Sequence, residues 1–491
     1  MDLGPNGTRC VSYRYMRFFI LIFVLSILTW QHVHAKHATS LSQKLALYGI
    51  ECEHDGLSCW LNRPLDCVSK KNLNYSQLPI CGSESSGIKF APSSLPLGGV
   101  FIGCRAYRDG CLNSIKSIVT ETPDVKVNLV VDSAGMTEAF IDQVIALGGN
   151  VNIIPVKRNN PISSSEAPTF ARDLGVFGSL SGVPTFIHMP YLNSQLDSSN
   201  TTLFKYISEV CQFSPSHHSY ISKADFQLLV QKAEKTPDAN GVSAVLRAEF
   251  DAIWNQKEKN IASETYSMGG NFLPLPFDLL VAGRSILNGA SPDILNYLNR
   301  FQTVLELNLP EYFGHIDEIF NVVPNYAPSA NDCSFTILQA SPKLLLTFLE
   351  KASVSLHSFQ ELFMAQEKDI EIMNHKLIAF IKKAHGNVSA CAPKVVKLPA
   401  SAGELLRWTK HSISFNPING LSAGTVYFYS QPQLNIESGG ILPQTLEFII
   451  TEQLKAIGIK AVPTNTRPYD SVGGNLHCAT NEVRWSCRTP N

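Results

Sequence analysis

Charged residues are scarce in this chain, and no long basic segment occurs in it. Of its 491 residues 16% are charged, and the formal net charge at pH 7 is -1. A surface that follows a nucleic-acid backbone needs clustered Lys and Arg, so nucleic acid is not an expected partner. The hydrophobic content of 44% argues against a disordered chain. It is ample for one large globular domain or two smaller ones.

Long apolar runs are also scarce. The run from Phe18 to Trp30, "FFILIFVLSILTW", has thirteen residues. At about 1.5 Å per residue it falls short of a hydrocarbon core about 30 Å thick. Arginines precede it and "VHA" ends at Ala35, so residues 1–35 are predicted to be a signal peptide. We expect a secreted protein with no stable membrane association after cleavage. The alternative is a membrane-tethered protein with an uncleaved signal anchor.

The cysteines fit an exported protein. The chain has twelve, and removal of the signal segment with Cys10 leaves eleven. Because thiols pair in an oxidising compartment, an odd number implies that at least one is a thiol or bridges two chains. Parity does not identify which one. Sequons predict glycosylation at Asn74, Asn200 and Asn387.

Residues 36–95 are predicted to form a small N-terminal region that is rich in cysteine. Four cysteines lie within thirty positions there, beginning with "CEHDGLSCWLNRPLDC", and little periodicity accompanies them. The following stretch "GSESSGIKFAPSSLPLGG" is rich in Gly, Ser and Pro, which is typical of a boundary. We therefore predict one large domain over residues 96–491.

A strand-helix-strand unit recurs three times in that domain. The first is "VKVNLVVD", "TEAFIDQVIALGG" and "NVNIIPV", and the chain then reaches "FARDLG" with Asp173. The second is "DLLVAG", "SPDILNYLNRF" and "TVLELNL", before "YFGHIDE". The third is "GTVYFYS", "PQTLEFIITEQLKAIG" and "IKAVPTN", before "GGNLHCATN". A ring of such units would bring Asp173, His315, Asp317 and Cys478 to a shared axis.

Each of these residues also has a structural interpretation. His315 and Asp317, two apart on a predicted strand, would face one space with Ile316 towards the core, yet such a pair often belongs to a buried hydrogen-bond network. Asp173 taken alone favours an ion pair or an Asx-turn. Cys478 could bridge to Cys487, although the glycine turn beside it suits a thiol at a cleft.

A thiol and an imidazole beside two carboxylates indicate a cationic substrate. A second acid in a cysteine protease would only keep the thiol protonated. A guanidinium, in contrast, offers a planar fork of N–H donors that two aspartates can hold from opposite sides. The bound cation would also favour the thiolate of Cys478 and bring its own carbon to the sulfur.

The motifs "FARD", "GHIDE" and "GGNLHCATN" resemble those of the guanidine-modifying α/β propellers. From about residue 125 onwards the chain resembles the catalytic domain of protein-arginine deiminases. "EYFGHIDEIFNVVP" and "CSFTILQASPKLLLTFLE" are similar to that family's segment around the catalytic His, and "HCATNEVR" to its nucleophile motif. The resemblance implies a five-bladed α/β propeller, the pentein fold, that follows the small Cys-rich N-terminal region.

By matching position, the resemblance implies that Cys478 is the nucleophile and His315 the general acid and base. Asp173 and Asp317 would hold the guanidinium, and Phe170 would stack against it. The implied reaction is hydrolytic deimination of protein-bound arginine to citrulline and ammonia through a covalent thiouronium. Proteins or peptides that contain arginine are the implied partners. His477 is expected to be a spectator.

The chain departs from the animal members of that family. Those carry two immunoglobulin-like domains, for which residues 36–95 are too few. They also bind calcium, but here Arg172, Leu174 and Val176 stand in one ligand stretch, and Gly269–Pro274 lacks a carboxylate. We therefore predict that no metal or other cofactor is required.

Two alternative functions stay open. Small-guanidine deiminases of the agmatine type also carry Gly-Gly-Asn before an apolar-His-Cys run, so agmatine or free arginine could be the substrate. The chain could also be a catalytically inactive secreted binding protein on the same fold.

Overall fold

The structure is a computed structural model, and it describes most of the predicted domain. It describes residues 41–52, 59–69, 88–104, 110–132, 136–148, 150–156, 172, 176–180, 183–187, 206–207, 210–211, 269–284, 299, 302–310, 313–328, 332–351, 357–384, 391–400, 413–434, 441–466 and 475–484. Several predictions fall outside these ranges: the signal peptide, the helix over 291–301, Asn74, Asn200, Asn387, Phe170, Asp173, Cys81 and Cys487.

The regular elements of the described ranges are mostly short strands, with helices between some of them. The strands are β1 Ile50–Cys52, β2 Cys59–Leu61, β3 Ile88–Phe90, β4 Leu97–Cys104, β5 Lys126–Asp132, β6 Val151–Val156, β7 Val176–Leu180, β8 Val183–Ile187, β9 Phe272–Leu275, β10 Leu279–Arg284, β11 Thr303–Asn308, β12 Phe320–Pro324, β13 Asp332–Ser341, β14 Ala392–Pro399, β15 Ile413–Ser414, β16 Leu421–Ala423, β17 Val426–Ser430, β18 Gln433–Leu434, β19 Lys460–Thr464 and β20 Thr480–Arg484. The helices are α1 Gly110–Glu121, α2 Glu138–Leu147, α3 Pro342–Lys351, α4 His357–Ala384, α5 Ile441–Lys455 and α6 Leu476–Ala479.

The first predicted strand-helix-strand unit is confirmed. β5 and β6 are parallel, and α2 connects them. Thr137 caps α2 by accepting the N–H of Phe140 on its Oγ1, and the helix ends at Gly148. Gly148 has a φ of +98°, a conformation that L side chains rarely adopt, so the predicted glycine stop has a backbone reason. β4 lies parallel to β5, and β20 pairs antiparallel to β4 at the edge of the sheet, which has the strand order β20-β4-β5-β6.

The third unit is confirmed as well. Of the second unit, the two strands are confirmed, and its predicted helix lies outside the described residues. β17 and β19 are parallel, α5 connects them, and β16 pairs antiparallel to β17. β10 and β11 are parallel, with β9 antiparallel to β10. A further unit has β13 and β14 parallel, joined through α3 and α4, with β12 antiparallel. These sheets therefore repeat one mixed pattern, two parallel strands and one antiparallel strand.

In the described part of the chain these strands form five separate sheets of three or more strands. Three sheets have the pattern just given, the fourth adds β20 to β4-β5-β6, and β3-β7-β8 is antiparallel. None of the five closes on itself within the described ranges. The architecture is thus a set of mixed α/β sheets.

Two large apolar clusters fill the space between sheets and helices. One joins β9 to β14 with α3, α4 and α5, and it includes Leu338, Leu377 and Leu446. The other surrounds β4 to β6 and also takes in Leu421 and Phe428 of the β16-β17 sheet. β17 contributes Tyr427 and Tyr429 to the first cluster and Phe428 to the second. The sheet that leads to "GGNLHCATN" therefore shares the first cluster with the sheet that leads to "GHIDE".

The described residues of the N-terminal region pack against the β4-β5-β6 sheet. Leu45 and Ile50 belong to that sheet's apolar cluster. Asn128 donates its side-chain N–H to the carbonyl of Cys67 at 2.9 Å, and Cys67 is disulfide-bonded to Cys211. A boundary after residue 95 stays a prediction. None of the helices in the described ranges is both long and apolar enough to cross a membrane.

Candidate active site

His315, Asp317 and Cys478 lie together, although 163 positions separate the first from the last. An imidazole nitrogen, a carboxylate oxygen and the sulfur of these residues all lie within 4.8 Å of one another. His315 is partly exposed, whereas Asp317 and Cys478 are buried. The site thus forms where the 3-10 turn Ile316–Glu318 meets the short helix α6.

The expected strand around His315 is wrong. Residues Ile316–Glu318 form a 3-10 turn, with His315 in extended backbone just before it. The N–H of Ile319 donates to the carbonyl of Ile316 at 3.0 Å, so the backbone bonds locally rather than to a neighbouring strand. Ile316 is nonetheless buried in the core, as expected. The extended backbone at His315 lets its ring and the Asp317 carboxylate approach one site despite the turn.

Asp317 is fully buried and is held through one oxygen. Its Oδ2 lies 2.7 Å from Nδ1 of His477. Its Oδ1 has no hydrogen-bond partner among the described residues. Burial by itself would raise the pKa of Asp317, but the hydrogen bond and charge of His477, with the charges of His315 and Arg172, lower it. The site therefore presents an ionised carboxylate with one oxygen available for a cation.

His477, expected to be a spectator, is in direct contact with Asp317 of the site. Its side chain is buried between two carboxylates. Nδ1 contacts Asp317, and Nε2 lies 3.7 Å from Oε1 of Glu482. The backbone N–H of His477 donates to the carbonyl of Asn419 at 3.1 Å. The single turn of α6 turns the imidazole inward, which residue spacing alone does not reveal.

Cys478 keeps its thiol. Of the described cysteines, eight form four disulfides: Cys52–Cys59, Cys67–Cys211, Cys104–Cys111 and Cys333–Cys391. Cys478 is buried and is not disulfide-bonded, so the alternative of a bridge to Cys487 is excluded in this structure.

Asn419 contacts both the sulfur and the backbone N–H of Cys478, and it was not identified from the sequence. Its Nδ2 donates to the sulfur at 3.1 Å, and its Oδ1 accepts the backbone N–H of Cys478 at 3.1 Å. An N–H aimed at sulfur stabilises a thiolate. The segment "FNPING" is a cluster of turn residues between strands, and this is the one signal that could have drawn attention to it.

The loop that carries Asn419 is itself fixed by buried polar groups. Asn321 donates through Nδ2 to the carbonyls of Ile418 and Gly420, each at 2.9 Å. The hydroxyl of Tyr427 donates to Ile418 at 2.7 Å. A Cβ at Gly420 would lie 2.4 Å from the carbonyl oxygen of Phe428, so only glycine fits. The amide of Asn419 is therefore placed by rigid neighbours.

A buried ion pair lies behind His477. Nε of Arg484 donates to Oε2 of Glu482 at 2.7 Å. Burial alone would raise the pKa of Glu482, but the charge and hydrogen bond of Arg484, with His477 and Arg172, lower it to about 2. Arg172 is also buried, and its Nε has no hydrogen-bond partner in the described ranges. Its charge acts on both Asp317 and Glu482.

The "GGN" turn, Gly269–Asn271, packs against His315. A Cβ on Gly270 would come within 2.6 Å of the imidazole Nδ1. Asn271 is buried, and neither of its side-chain polar atoms has a partner among the described residues. Asp173 and Phe170 lie outside the described residues, and their roles stay predictions. Glu482 and Asn271, like Asn419, were not singled out as site residues from the sequence.

The donor set does not fit a calcium site. Calcium takes about six to eight oxygen ligands, whereas this cluster offers one carboxylate beside a sulfur and an imidazole. Sulfur and imidazole suit zinc-like ions, but a thiol, an imidazole and an acid are also what a nucleophilic cysteine requires.

No family model and no curated protein matches the chain. Among solved structures, one described as "a putative peptidyl-arginine deiminase" aligns with a TM-score of 0.50 at 13% identity, over 82% of this chain and 99% of that chain. An agmatine deiminase of C. jejuni aligns with a TM-score of 0.48 at 12% identity, over 82% and 98%. An agmatine deiminase of Enterococcus faecalis aligns with a TM-score of 0.47 at 13% identity, over 82% of this chain and 96% of that chain. At such low identity, the similarity with a TM-score of 0.50 shows a shared fold and no more.

Proposed function

We propose that the protein is a hydrolase that deiminates a guanidine, with Cys478 as its nucleophile. The observation that carries this proposal is the cluster of thiol, imidazole and carboxylate within 4.8 Å, in which Oδ1 of Asp317 has no partner among the described residues. The five sheets, four mixed and one antiparallel, are then the five blades of a pentein propeller. Secretion, with cleavage of residues 1–35 and glycosylation, is part of the same proposal.

The reaction begins with binding of the guanidinium cation. Asp317, together with Asp173, accepts its N–H groups, and Phe170 stacks on it. The sulfur of Cys478 attacks the guanidine carbon and forms a C–S bond. The C–N bond then breaks, and His315 protonates the leaving ammonia. The enzyme is left with a cationic thiouronium on Cys478.

Water completes the cycle. His315 takes a proton from the water, whose oxygen adds to the thiouronium carbon. The C–S bond breaks, the thiolate leaves, and a ureido product is released. The net change is guanidinium plus water to a ureido group plus ammonium, so no oxidant or other cofactor enters the balance.

A small guanidine, agmatine or free arginine, is the substrate class that we favour. The Gly473–Cys478 run has the order of the agmatine type, and Asp317 and Cys478 are almost wholly buried. An enclosed site suits a small molecule. Protein-bound arginine is the second candidate, supported by the resemblance of "GHIDE" and "HCATNEVR" to the protein-directed family.

One assay separates these functions. The purified protein is given agmatine, free arginine and a blocked arginine peptide, and ammonia and ureido product are measured. Turnover of agmatine or arginine with little on the peptide supports the small-guanidine proposal, whereas product from the peptide alone shows the protein-directed activity. Cys478→Ala should abolish both products. Ammonia release that survives this change contradicts the nucleophile, and tight guanidine binding without any turnover indicates a binding protein.

A further inference from the structure

The carboxylate that faces the substrate belongs to a buried chain of four groups. Oδ2 of Asp317 lies 2.7 Å from Nδ1 of His477, and Nε2 of the same ring lies 3.7 Å from Oε1 of Glu482. Oε2 of Glu482 accepts the Nε–H of Arg484 at 2.7 Å. The four side chains are exposed by 3% or less. Acid, imidazole, acid and guanidinium thus alternate from the site to the protein interior.

The inner end of this chain is firmly anchored. Arg484 donates through Nη1 to the carbonyl of Leu95 at 2.6 Å and through Nη2 to that of Ser422 at 2.5 Å. The hydroxyl of Ser93 donates to Oε2 of Glu482 at 3.3 Å. These partners come from the segment before β4 and from β16, so two sheets hold the pair. Glu482 therefore has little freedom to move.

An ion pair with Arg484 does not by itself explain the orientation of Glu482. A carboxylate that served only to neutralise the guanidinium would direct both oxygens to it in a bidentate pair. Here Oε1 is instead turned to Nε2 of His477, and neither atom has a hydrogen-bond partner among the described residues. A buried oxygen that is left unsatisfied costs stability, so its direction requires a reason.

We propose that Glu482 is a positioning residue that acts through His477 to orient the carboxylate of Asp317. The attraction between Glu482 and Nε2 holds the plane of the imidazole, so that Nδ1 engages Oδ2 of Asp317. Oδ1 is then left to accept N–H from the guanidinium. This inference rests on the proposed function, because it concerns the group that would bind the cation.

Other charged groups near these four side chains do not replace Glu482 in this role. His315 and Arg172 act on Asp317, and Arg172 also acts on Glu482. The charges of Asp317 and Glu482 also act on Tyr427, whose hydroxyl donates to backbone carbonyls of the Asn419 loop. Among the described residues, the side chain that is hydrogen-bonded to the carboxylate of Asp317 is that of His477.

The test is the reactivity of Cys478 towards two alkylating reagents, since it needs no turnover. Chloroacetamidine is cationic and depends on Asp317, whereas iodoacetamide is neutral and does not. Glu482→Gln should lower the ratio of the two rates by about 10-fold, the scale of one weakened charge-assisted hydrogen bond, and change the iodoacetamide rate by less than about twofold. KM for the guanidine substrate should rise by a similar factor, while kcat changes less.

Two variants of His477 keep the inference testable if Glu482→Gln folds poorly. In His477→Asn, the side-chain amide takes the place of Nδ1 and can still donate to Asp317. In His477→Gln, the side-chain amide takes the place of Nε2, and the donor to Asp317 is lost. We expect His477→Asn to retain most of the rate ratio and His477→Gln to lose it. An unchanged ratio in Glu482→Gln, or equal ratios in the two His477 variants, overturns the inference. Absence of turnover in the unaltered protein would instead overturn the proposed function and leave the ratio readable.

Discussion

Asn419 contacts Cys478 twice, with its amide N–H 3.1 Å from the sulfur and its amide oxygen 3.1 Å from the backbone N–H. The two contacts fix the cysteine in α6, just before β20, and direct a hydrogen-bond donor to the atom that we propose as nucleophile. The same loop accepts the backbone N–H of His477. The loop before β16 is therefore as much a part of the site as the segment that carries the cysteine.

Replacement of Asn419 by Asp should make the thiol less reactive. The variant keeps the oxygen that accepts the Cys478 N–H but places a negative charge beside the sulfur, which raises the pKa of the thiol. We expect alkylation by iodoacetamide at pH 7, and kcat/KM, to fall by about 10-fold or more. The matched control is Asn416→Asp in the same loop, whose amide bonds Glu318 and Ile418. Equal effects of the two changes would contradict a role at sulfur.

Gly270→Ala should lower activity by displacing His315. The added Cβ would lie 2.6 Å from the imidazole Nδ1, so the ring must move. A displacement of about 1 Å in a reacting group can cost about 100-fold in rate, and we expect such a fall in kcat. Gly424→Ala is the control, because Gly424 has a φ of +61° and its added Cβ would meet only the hydroxyl oxygen of Tyr326, at an ordinary contact distance of 3.9 Å. That variant should lose about 1 kcal/mol of unfolding free energy and keep its kcat.

Stability should fall in acid because of Glu482. Its pKa is about 2 in the folded protein, below the ordinary value of 4.5. A carboxylate with a lowered pKa contributes stability that is present above its unfolded-state value and is lost as the pH falls from there towards the folded-state value. The contribution is on the order of 3 kcal/mol. Urea unfolding should show a smaller loss between about pH 6 and pH 3 in Glu482→Gln than in the unaltered protein, and parallel curves would contradict this.

Cys478 should distinguish a cationic reagent from a neutral one. The ionised Asp317 attracts the amidinium of chloroacetamidine, so its alkylation rate relative to that of iodoacetamide should exceed the same ratio for a small thiol in solution. Asp317→Asn should bring the ratio back to that of the reference thiol. If the unaltered protein already reacts like the reference, the carboxylate does not bind the cation.

Removal of metal ions should leave activity unchanged. The cluster of His315, Asp317 and Cys478 offers one carboxylate, and calcium needs several oxygen ligands. Turnover should therefore be the same after treatment with EDTA or EGTA and after addition of Ca²⁺. Loss of turnover on chelation that Ca²⁺ restores would contradict this prediction.

Local patterns predicted the elements that local interactions determine. The strand-helix-strand units around α2 and α5 follow from apolar periodicity and glycine stops, which act within a few residues of each other. The strand expected at His315 failed for the complementary reason. Whether a short polar segment extends or turns depends on its hydrogen-bond partners. Here the backbone N–H of Ile319 donates to the carbonyl of Ile316, which makes a turn.

The sequence by itself determined which residue types were available for the site: one cysteine in a glycine-rich turn, an H-x-D segment, and eleven cysteines, an odd number, once the predicted signal segment is removed. Only the tertiary structure decided which of them meet. The contact of Asp317 with His477 joins residues 160 positions apart, and that of Asn419 with Cys478 joins residues 59 apart. Such pairs have no local signature, because the packing of separate sheets on shared cores brings them together.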